Sequence, residues 1–329
     1  MISLRVKTKT ETENSKTTTL TDYAPSVNKI TVTTQRLDAA GKMQVTLISN
    51  KIDIPEGANV YLEVDGVGMF NGYVFKADKT QANSVTYTCY DQLRYLKSKA
   101  SYSFKAMSIS DIIRAIAKDF KLKVGDLVET GYKFPSLIKD NTSCLDIIFD
   151  ALAETTRQTG KIFVFYDDLG KLTLKEADSM KWNAIIGDAS LLSTYSYSRS
   201  IDQNTYNRVK LARPNSKTGK ADTYTYQDGD TQKQWGVLQL YKVVNENMNS
   251  AQIEQTAQVY LAYYNKIWET LKLSKIIGYT PLRAGWIVPI LLSDIDVTLA
   301  GRPKLFLCEK VTHTIQDGAH LMSIEVKNY

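Results

Sequence analysis

The hydrophobic pattern changes period repeatedly along the chain, and each change predicts a change of structure. Residues 7–19 are almost all Lys, Thr, Glu, Asn and Ser, which predicts a polar arm or a solvated edge strand. Alternation then begins at Ile30–Thr34 and continues more loosely at Val45–Ile48. In Asn59–Val64, the residues Val60, Leu62 and Val64 fall on one face of a strand. Asp65-Gly66 supplies turn chemistry, and Met69–Phe75 returns as the partner strand. Ser84–Tyr90 alternates again. Short strands with polar turns predict an antiparallel sandwich or barrel.

At residue 108 the period becomes helical. Ile109, Ile112, Ile113, Ile116, Ala117 and Phe120 form one apolar stripe. Ser108 with Asp111 has the spacing of a capping box. A second helix is predicted at about 143–158, with Leu145, Ile148, Ala151 and Leu152 inward, Ser143 and Asp146 at its start and Gly160 ending it. The two helix starts share Ser-x-x-Asp-Ile-Ile, a likeness that any capped, buried helix start can show. Ile162–Tyr166 and Lys171–Lys175 read as a hairpin across Asp167-Asp168-Leu169-Gly170.

Strands resume from Ser193, with Tyr206–Leu211 and Asp222–Gln227 as candidates and a loop over Pro214–Lys220. A long helix is predicted over about 250–270, with Ile253, Ala257, Tyr260, Leu261, Tyr264 and Trp268 on one face. Strands near 270–277, 286–292, 304–316 and 320–327 close the chain. The last two are joined through Gln316-Asp317-Gly318-Ala319, a hairpin signal. The expected fold class is therefore α+β and β-rich. Three segments are expected: a first β domain over 1–99, with room for completion by strands from 186–245; an α/β insert over 101–185; and a second β domain over 186–329 that carries the long helix.

Composition narrows the function classes. The net charge of +6 on 329 residues is mild and spread along the chain, which argues against sequence-specific nucleic-acid binding. Tyr (20) outnumbers Phe (9), as suits half-buried sheet faces and interfaces. The 3 cysteines, Cys89, Cys144 and Cys308, lie far apart without a C-x-x-C, so buried free thiols are expected rather than a disulfide framework or a zinc knuckle. The N-terminus has no apolar signal region, and Trp286–Leu292 is too short to span a bilayer, so no membrane insertion is expected.

Few residues are placed to carry chemistry. Gly66, Gly68 and Gly72 lie inside a predicted hairpin and read as turn and bulge glycines, not as a phosphate loop. The only histidines, His313 and His320, flank the last turn and are the sole metal-site candidates, with Glu309 and Asp317 nearby. Two imidazoles are thin support for a zinc site, which takes three or four ligands. No nucleophile triad is legible, since Cys308 and His313 are five apart in one strand region. Asp167-Asp168 sits where a turn favours Asp. Tyr195, Tyr197, Tyr206, Tyr224 and Tyr226 read as a packed sheet face before a stacking platform. No catalytic residue, cofactor or metal is expected.

Several stretches, taken together in order, carry a resemblance. They are Cys89-Tyr90-Asp91-Gln92-Leu93-Arg94-Tyr95-Leu96; Ser200-Ile201-Asp202 with Tyr206-Asn207-Arg208-Val209; Ala251-Gln252-Ile253-Glu254-Gln255 with Ala257; Leu282-Arg283-Ala284-Gly285; and Thr312-His313-Thr314-Ile315 with Gly318, His320 and Met322. From about residue 55 onward the chain resembles the baseplate hub proteins of contractile phage tails and phage-tail-like bacteriocins, the late control protein D and defective-prophage tail hub family.

The resemblance implies two tail-tube-like antiparallel β-barrel domains per subunit and a homotrimeric ring with a central channel. It implies a tail tube protein and a central spike protein as partners, with neighbouring baseplate proteins beside them. It also implies synthesis in the bacterial cytoplasm and residence in a virion or bacteriocin particle. A ring needs strands that pair between subunits, and the alternating stretches at Val60, Leu62 and Val64 and at Leu305, Leu307 and Val311 are the candidate interface positions. The alternative from another class is a cell-wall-binding or peptidoglycan-cleaving tail-tip protein.

Overall fold

The computed structural model describes residues 1–12, 15–81, 83–187, 194–202, 204–216, 218–295, 298–299 and 301–329. The N-terminal strands are β1 (Ile2–Thr12), β2 (Ser15–Asp22), β3 (Val27–Gln35), β4 (Lys42–Leu47), β5 (Asn59–Val64), β6 (Val67–Thr80) and β7 (Ser84–Tyr90). After them come β8 (Lys99–Ser108), α1 (Ile109–Asp119), β9 (Val124–Leu127), β10 (Lys133–Ser143), α2 (Cys144–Thr159), β11 (Phe163–Asp167) and β12 (Leu172–Glu176). The rest is β13 (Ile186–Gly187), β14 (Thr194–Ser200), β15 (Arg208–Asn215), β16 (Lys220–Gln227), α3 (Gly229–Trp235), β17 (Gln239–Val243), α4 (Ser250–Tyr264), β18 (Trp268–Ile277), β19 (Ile287–Leu291), β20 (Thr298–Leu299), β21 (Arg302–Gln316) and β22 (Ala319–Asn328). The fold is α+β and β-rich.

Two compact units emerge, and they cut the chain elsewhere than at residues 100 and 186. One comprises Met1–Leu152, Ile162–Ser196 and Leu271–Tyr329; the other comprises Ala153–Lys161 and Tyr197–Thr270. In the larger unit an antiparallel path runs β22-β21-β3-β4-β7-β6-β5-β1-β2, with β19 also on β21. The N-terminal strands are extended directly by 302–328 through the pairing of β3 with β21, while β13 and β14, from the 186–245 stretch, enter the same sheet farther along, through β19 and β18. The register fixes this pairing: Val32 lies opposite His313 and Ile30 opposite Ile315, so each strand sends its apolar set to the same face. The path stays open: β2 is its end, and no closed barrel is present among the described residues.

Turn chemistry sets the hairpins. Asp65 and Gly66 have φ of 52° and 79°, and Asp317 and Gly318 have 52° and 76°. Positive φ at both central residues matches the right-handed twist of the flanking strands. The inward faces of β1 and β3–β7 share one core that includes Leu4, Ile30, Val45, Leu62, Val85 and Tyr87. The Tyr87 hydroxyl is satisfied within that core: it donates to Ile52 O at 2.9 Å and accepts from Ile54 N at 3.0 Å.

A second core in the same unit joins α1, α2, β11 and β12. Ile109, Ile112, Ile113 and Ile116 are each 0 % exposed. Burying four such side chains contributes about 6–12 kcal/mol as an upper bound, which is why one apolar stripe suffices to place the helix. The capping box is formed in both directions: Ser108 Oγ accepts from Asp111 N and Asp111 Oδ2 accepts from Ser108 N. Ser143 caps α2 through Asp146 N at 3.1 Å, and Gly160 follows the helix with φ of 70°. The hairpin β11–β12 forms as expected, with β9 added in parallel on β12.

The smaller unit packs the sheet β16-β15-β17 on α4. Its core gathers Val209, Leu211, Ile253, Ala257 and Tyr260, with Tyr206, Tyr224 and Tyr226 against them, so those tyrosines are packing residues. The helix expected over 250–270 ends at Tyr264, and Trp268 begins β18. Its start is a capping box between Asn249 and Gln252. The end is early because Trp268, Thr270 and the alternating Leu271 and Leu273 form a strand whose pairing overrides helical spacing.

Candidate functional site

Three stretches that stand out in the sequence, Cys89–Leu96, Leu282–Gly285 and Thr312–Met322, converge in the larger unit. Asp91 follows β7 and starts a 3-10 turn, accepting from Leu93 N at 3.0 Å and from Gly41 N at 2.8 Å. Gly41 is required there, because a Cβ would lie 2.4 Å from the Asp91 carboxylate. Arg283, in the segment before β19, donates through Nη1 to Asp167 O at 2.8 Å, and its guanidinium carbon stands 3.9 Å over the Tyr166 ring. Asp167 Oδ1 accepts from Gly170 N at 2.7 Å and so fixes the β11–β12 turn. The next residues are equally tied: Ala284 N donates to Thr34 Oγ1 at 3.0 Å, and Gly285 holds φ of 93° with Val164 where a side chain would be.

The electrostatics follow from burial. Desolvation pushes the Asp167 carboxyl up to about 6, against the hydrogen bond from Gly170, a nearby Gln92 amide and the Arg283 charge. Desolvation and then the charge of Asp167 raise Asp91 well above the usual carboxylate range. Burial lowers Arg283, while Tyr166, Asp91 and Asp167 pull the other way. A cavity of about 280 Å³ opens beside these groups. Two enclosed polar atoms, Arg283 Nε and Asp167 Oδ2, have no hydrogen-bond partner; the Gln92 amide acts on Asp167 without reaching bonding geometry. The cluster works as a clasp that binds β7, the β11–β12 turn and the segment before β19 to one another.

His313 and His320 do come together. His313 Nε2 lies 2.8 Å from Leu282 O and His313 Nδ1 lies 3.0 Å from His320 Nε2. A carbonyl can only accept, so His313 carries its proton on Nε2 and takes a second bond from His320 Nε2–H. Both His313 nitrogens are therefore used, and burial lowers its pKa to about 4. Among the described residues no group of three or more His, Cys, Asp or Glu side chains is placed to hold a metal ion. Glycine again makes room, since a Cβ on Gly278 would meet the His320 ring at 2.2 Å. That glycine is the signal that the sequence held and simple motif reading passed over. Cys89, Cys144 and Cys308 are free and buried, and burial pushes the Cys89 thiol up to about 12.

The candidate interface positions need correcting. Val60 (2 % exposed), Leu62 (0 %) and Val64 (3 %) line the interior core, and β5 is flanked by β1 and β6. Leu307 and Val311 are likewise buried on β21, which pairs with β22, β3 and β19; Leu305 alone of the six is exposed, at 40 %. Alternation reveals an apolar face, not whether the chain's own strands cover it. A free edge lies in the polar N-terminal stretch instead. Among the described residues β2 pairs with β1 alone, and Thr17–Thr21 carries no charge; Leu20 is 62 % exposed. The signal was the β-branched threonine run, whose polarity hides its strand preference.

The fold is that of phage-tail proteins. The 43 kDa tail protein of prophage MuSo2 from Shewanella oneidensis superposes with a TM-score of 0.67 at 14 % identity, covering 98 % of each chain. The E. coli c3393 protein, described as a type VI secretion component with structural similarity to T4 tail proteins gp27 and gp5, gives 0.57 at 10 % identity over 92 % of this chain and 74 % of its own. At the level of sequence, the chain belongs to the YqbQ-like family, whose model matches residues 30–327. YqbQ of Bacillus subtilis (strain 168) is 33 % identical over 83 % of this chain and 82 % of its own length. The phage-like element PBSX protein XkdQ of the same strain is 30 % identical over 88 % and 89 %. No helix among the described residues is long and apolar enough to cross a membrane.

Proposed function

We propose that this chain is the structural baseplate hub of a contractile phage tail or tail-like bacteriocin. In this reading three copies form a ring with a central channel that joins the tail tube to the central spike, and neighbouring baseplate proteins surround it. The observation that carries the reading is the tail-protein fold over essentially the whole chain, together with a 30 % identical relative named for a phage-like element. The open sheet supports it as well. A path that ends at an edge strand whose central residues, Thr17–Thr21, carry no charge leaves a row of main-chain donors and acceptors for a neighbour, and pairing there would complete a tube-like domain that one copy leaves open.

The test uses assembled particles and the isolated chain together. Electron micrographs of tails that carry a tagged chain should show the tag at the distal end of the tube with three-fold symmetry. The purified protein should reach three times the 37.0 kDa of one chain, or that mass plus the spike's when the two are purified together. Leu20→Lys, which puts a charge on the exposed edge, should reduce that mass toward one chain while the thermal melt stays within about 2 °C, as expected for a surface substitution. A tag absent from the tail end would overturn the reading.

A further inference from the structure

A second cavity in the larger unit, an open groove of about 560 Å³, differs in character from the clasp. Lys7 of β1 and Lys121 and Lys123 of the segment after α1 stand on its walls, and Glu56 is the one acidic side chain in the lining. All three lysines are exposed, and among the described residues none of them has an ion-pair partner. Three unneutralised cations around one concavity concentrate positive potential there.

The frame that holds them is prebuilt. Gln92 Nε2 donates to Lys123 O at 3.2 Å and Gln92 Oε1 accepts from Lys123 N at 3.2 Å, so the backbone of Lys123 is clamped at two points. Lys7 is fixed by its register opposite Asn59, whose amide donates to Asn71 Oδ1 at 2.8 Å and to Gly72 O at 2.9 Å. Lys121 occupies φ of 54° where α1 ends. Leu122 N returns to Ala117 O and Lys121 N to Lys118 O, the paired bonds of a helix terminus that ordinarily takes glycine at this position. The chain carries a lysine there despite the backbone cost.

We propose that this groove binds an acidic peptide segment of a partner protein. Lysine offers flexible point charges, and no arginine lines the groove to impose a fixed two-point geometry, so the groove suits an occupant held by net negative charge along an extended chain. The aromatic side chains do not favour a nucleic acid either. Tyr95 is engaged by Tyr73 at 5.8 Å and by Phe75 at 5.7 Å, so its ring is used in packing rather than offered to a base.

The test is fluorescence anisotropy with a labelled hexaglutamate peptide and, separately, a labelled oligothymidylate, at about 50 mM NaCl where screening is weak. The full chain should bind the peptide. K7Q/K121Q/K123Q should bind it about tenfold more weakly, the sum of three modest ion contacts. K51Q/K99Q/K105Q, an equal loss of exposed charge elsewhere, should bind as the parent does. Both variants alter exposed side chains, so thermal melts should match the parent. Absence of peptide binding, equal weakening in the two variants, or tighter binding of the oligothymidylate would each overturn the proposal.

Discussion

Replacing Arg283 by methionine tests the clasp. The substitution keeps much of the aliphatic length and removes the charge that faces Asp91, Asp167 and the Tyr166 ring. Deleting one partner of a buried ionic cluster costs about 3–5 kcal/mol, because the remaining charges stay desolvated without compensation. Arg283 keeps some exposure although its Nε is enclosed, so the lower end, about 3 kcal/mol, applies near pH 8. For a unit of this size that is a fall in melting temperature of roughly 6–12 °C.

The penalty should depend on pH in a defined direction. Without the guanidinium both carboxyls titrate higher than in the parent, where Asp167 already stands near 6. Between pH 8 and 6 the folded variant then holds more protons than the folded parent, and neutral acids need no counter-charge. Its deficit should shrink by about 1.4 kcal/mol per pH unit for each extra proton held. Thermal melts followed by near-UV circular dichroism at pH 8, 7 and 6 measure this, and D167N/R283M should recover part of the loss at pH 8. A deficit below about 1 kcal/mol at pH 8, or one that stays constant down to pH 6, would refute the assignment of Arg283 as the counter-charge.

Two further outcomes follow from the same region. Gly285→Ala places a Cβ 2.3 Å from Val164 Cγ1 at φ of 93°; backbone strain and overpacking together should cost about 2–5 kcal/mol, read as a lower urea midpoint with unchanged slope. His313 is held neutral with its pKa lowered to about 4. The unfolded chain takes up its proton first as pH falls, so stability from this residue is complete above about 6.5 and lost toward 4, by up to about 3 kcal/mol. Asp167 works in the opposite sense, since its raised pKa makes the folded state take up a proton first below about 6. His313→Gln should therefore flatten the acid-side loss in melting temperature between pH 6.5 and 4; an unchanged profile would remove His313 as its source.

The sequence by itself determined the local elements, because their causes are local. The isoleucine stripe on α1, the Ser108–Asp111 and Ser143 caps, and the Asp-Gly turns at 65–66 and 317–318 each form from residues within one or two turns of chain. Two groups of residues were visible as unusual without their purpose being visible: Arg283-Ala284-Gly285, and the pair His313 and His320. What they do depends on Asp91, Thr34, Val164 and Gly278, which lie between 42 and 250 positions from the residues they contact. Alternation at Val60–Val64 and Leu305–Val311 gave the right strands but could not say which faces were covered, since that depends on which distant strand supplies the next ladder. The tertiary structure alone decided that β3 joins β21, that the edge-strand reading of the polar N-terminal stretch holds over that of a polar arm, and that three scattered lysines surround one groove. Main-chain hydrogen bonding is nearly indifferent to sequence, so strand partnership is set by the burial of whole faces at once.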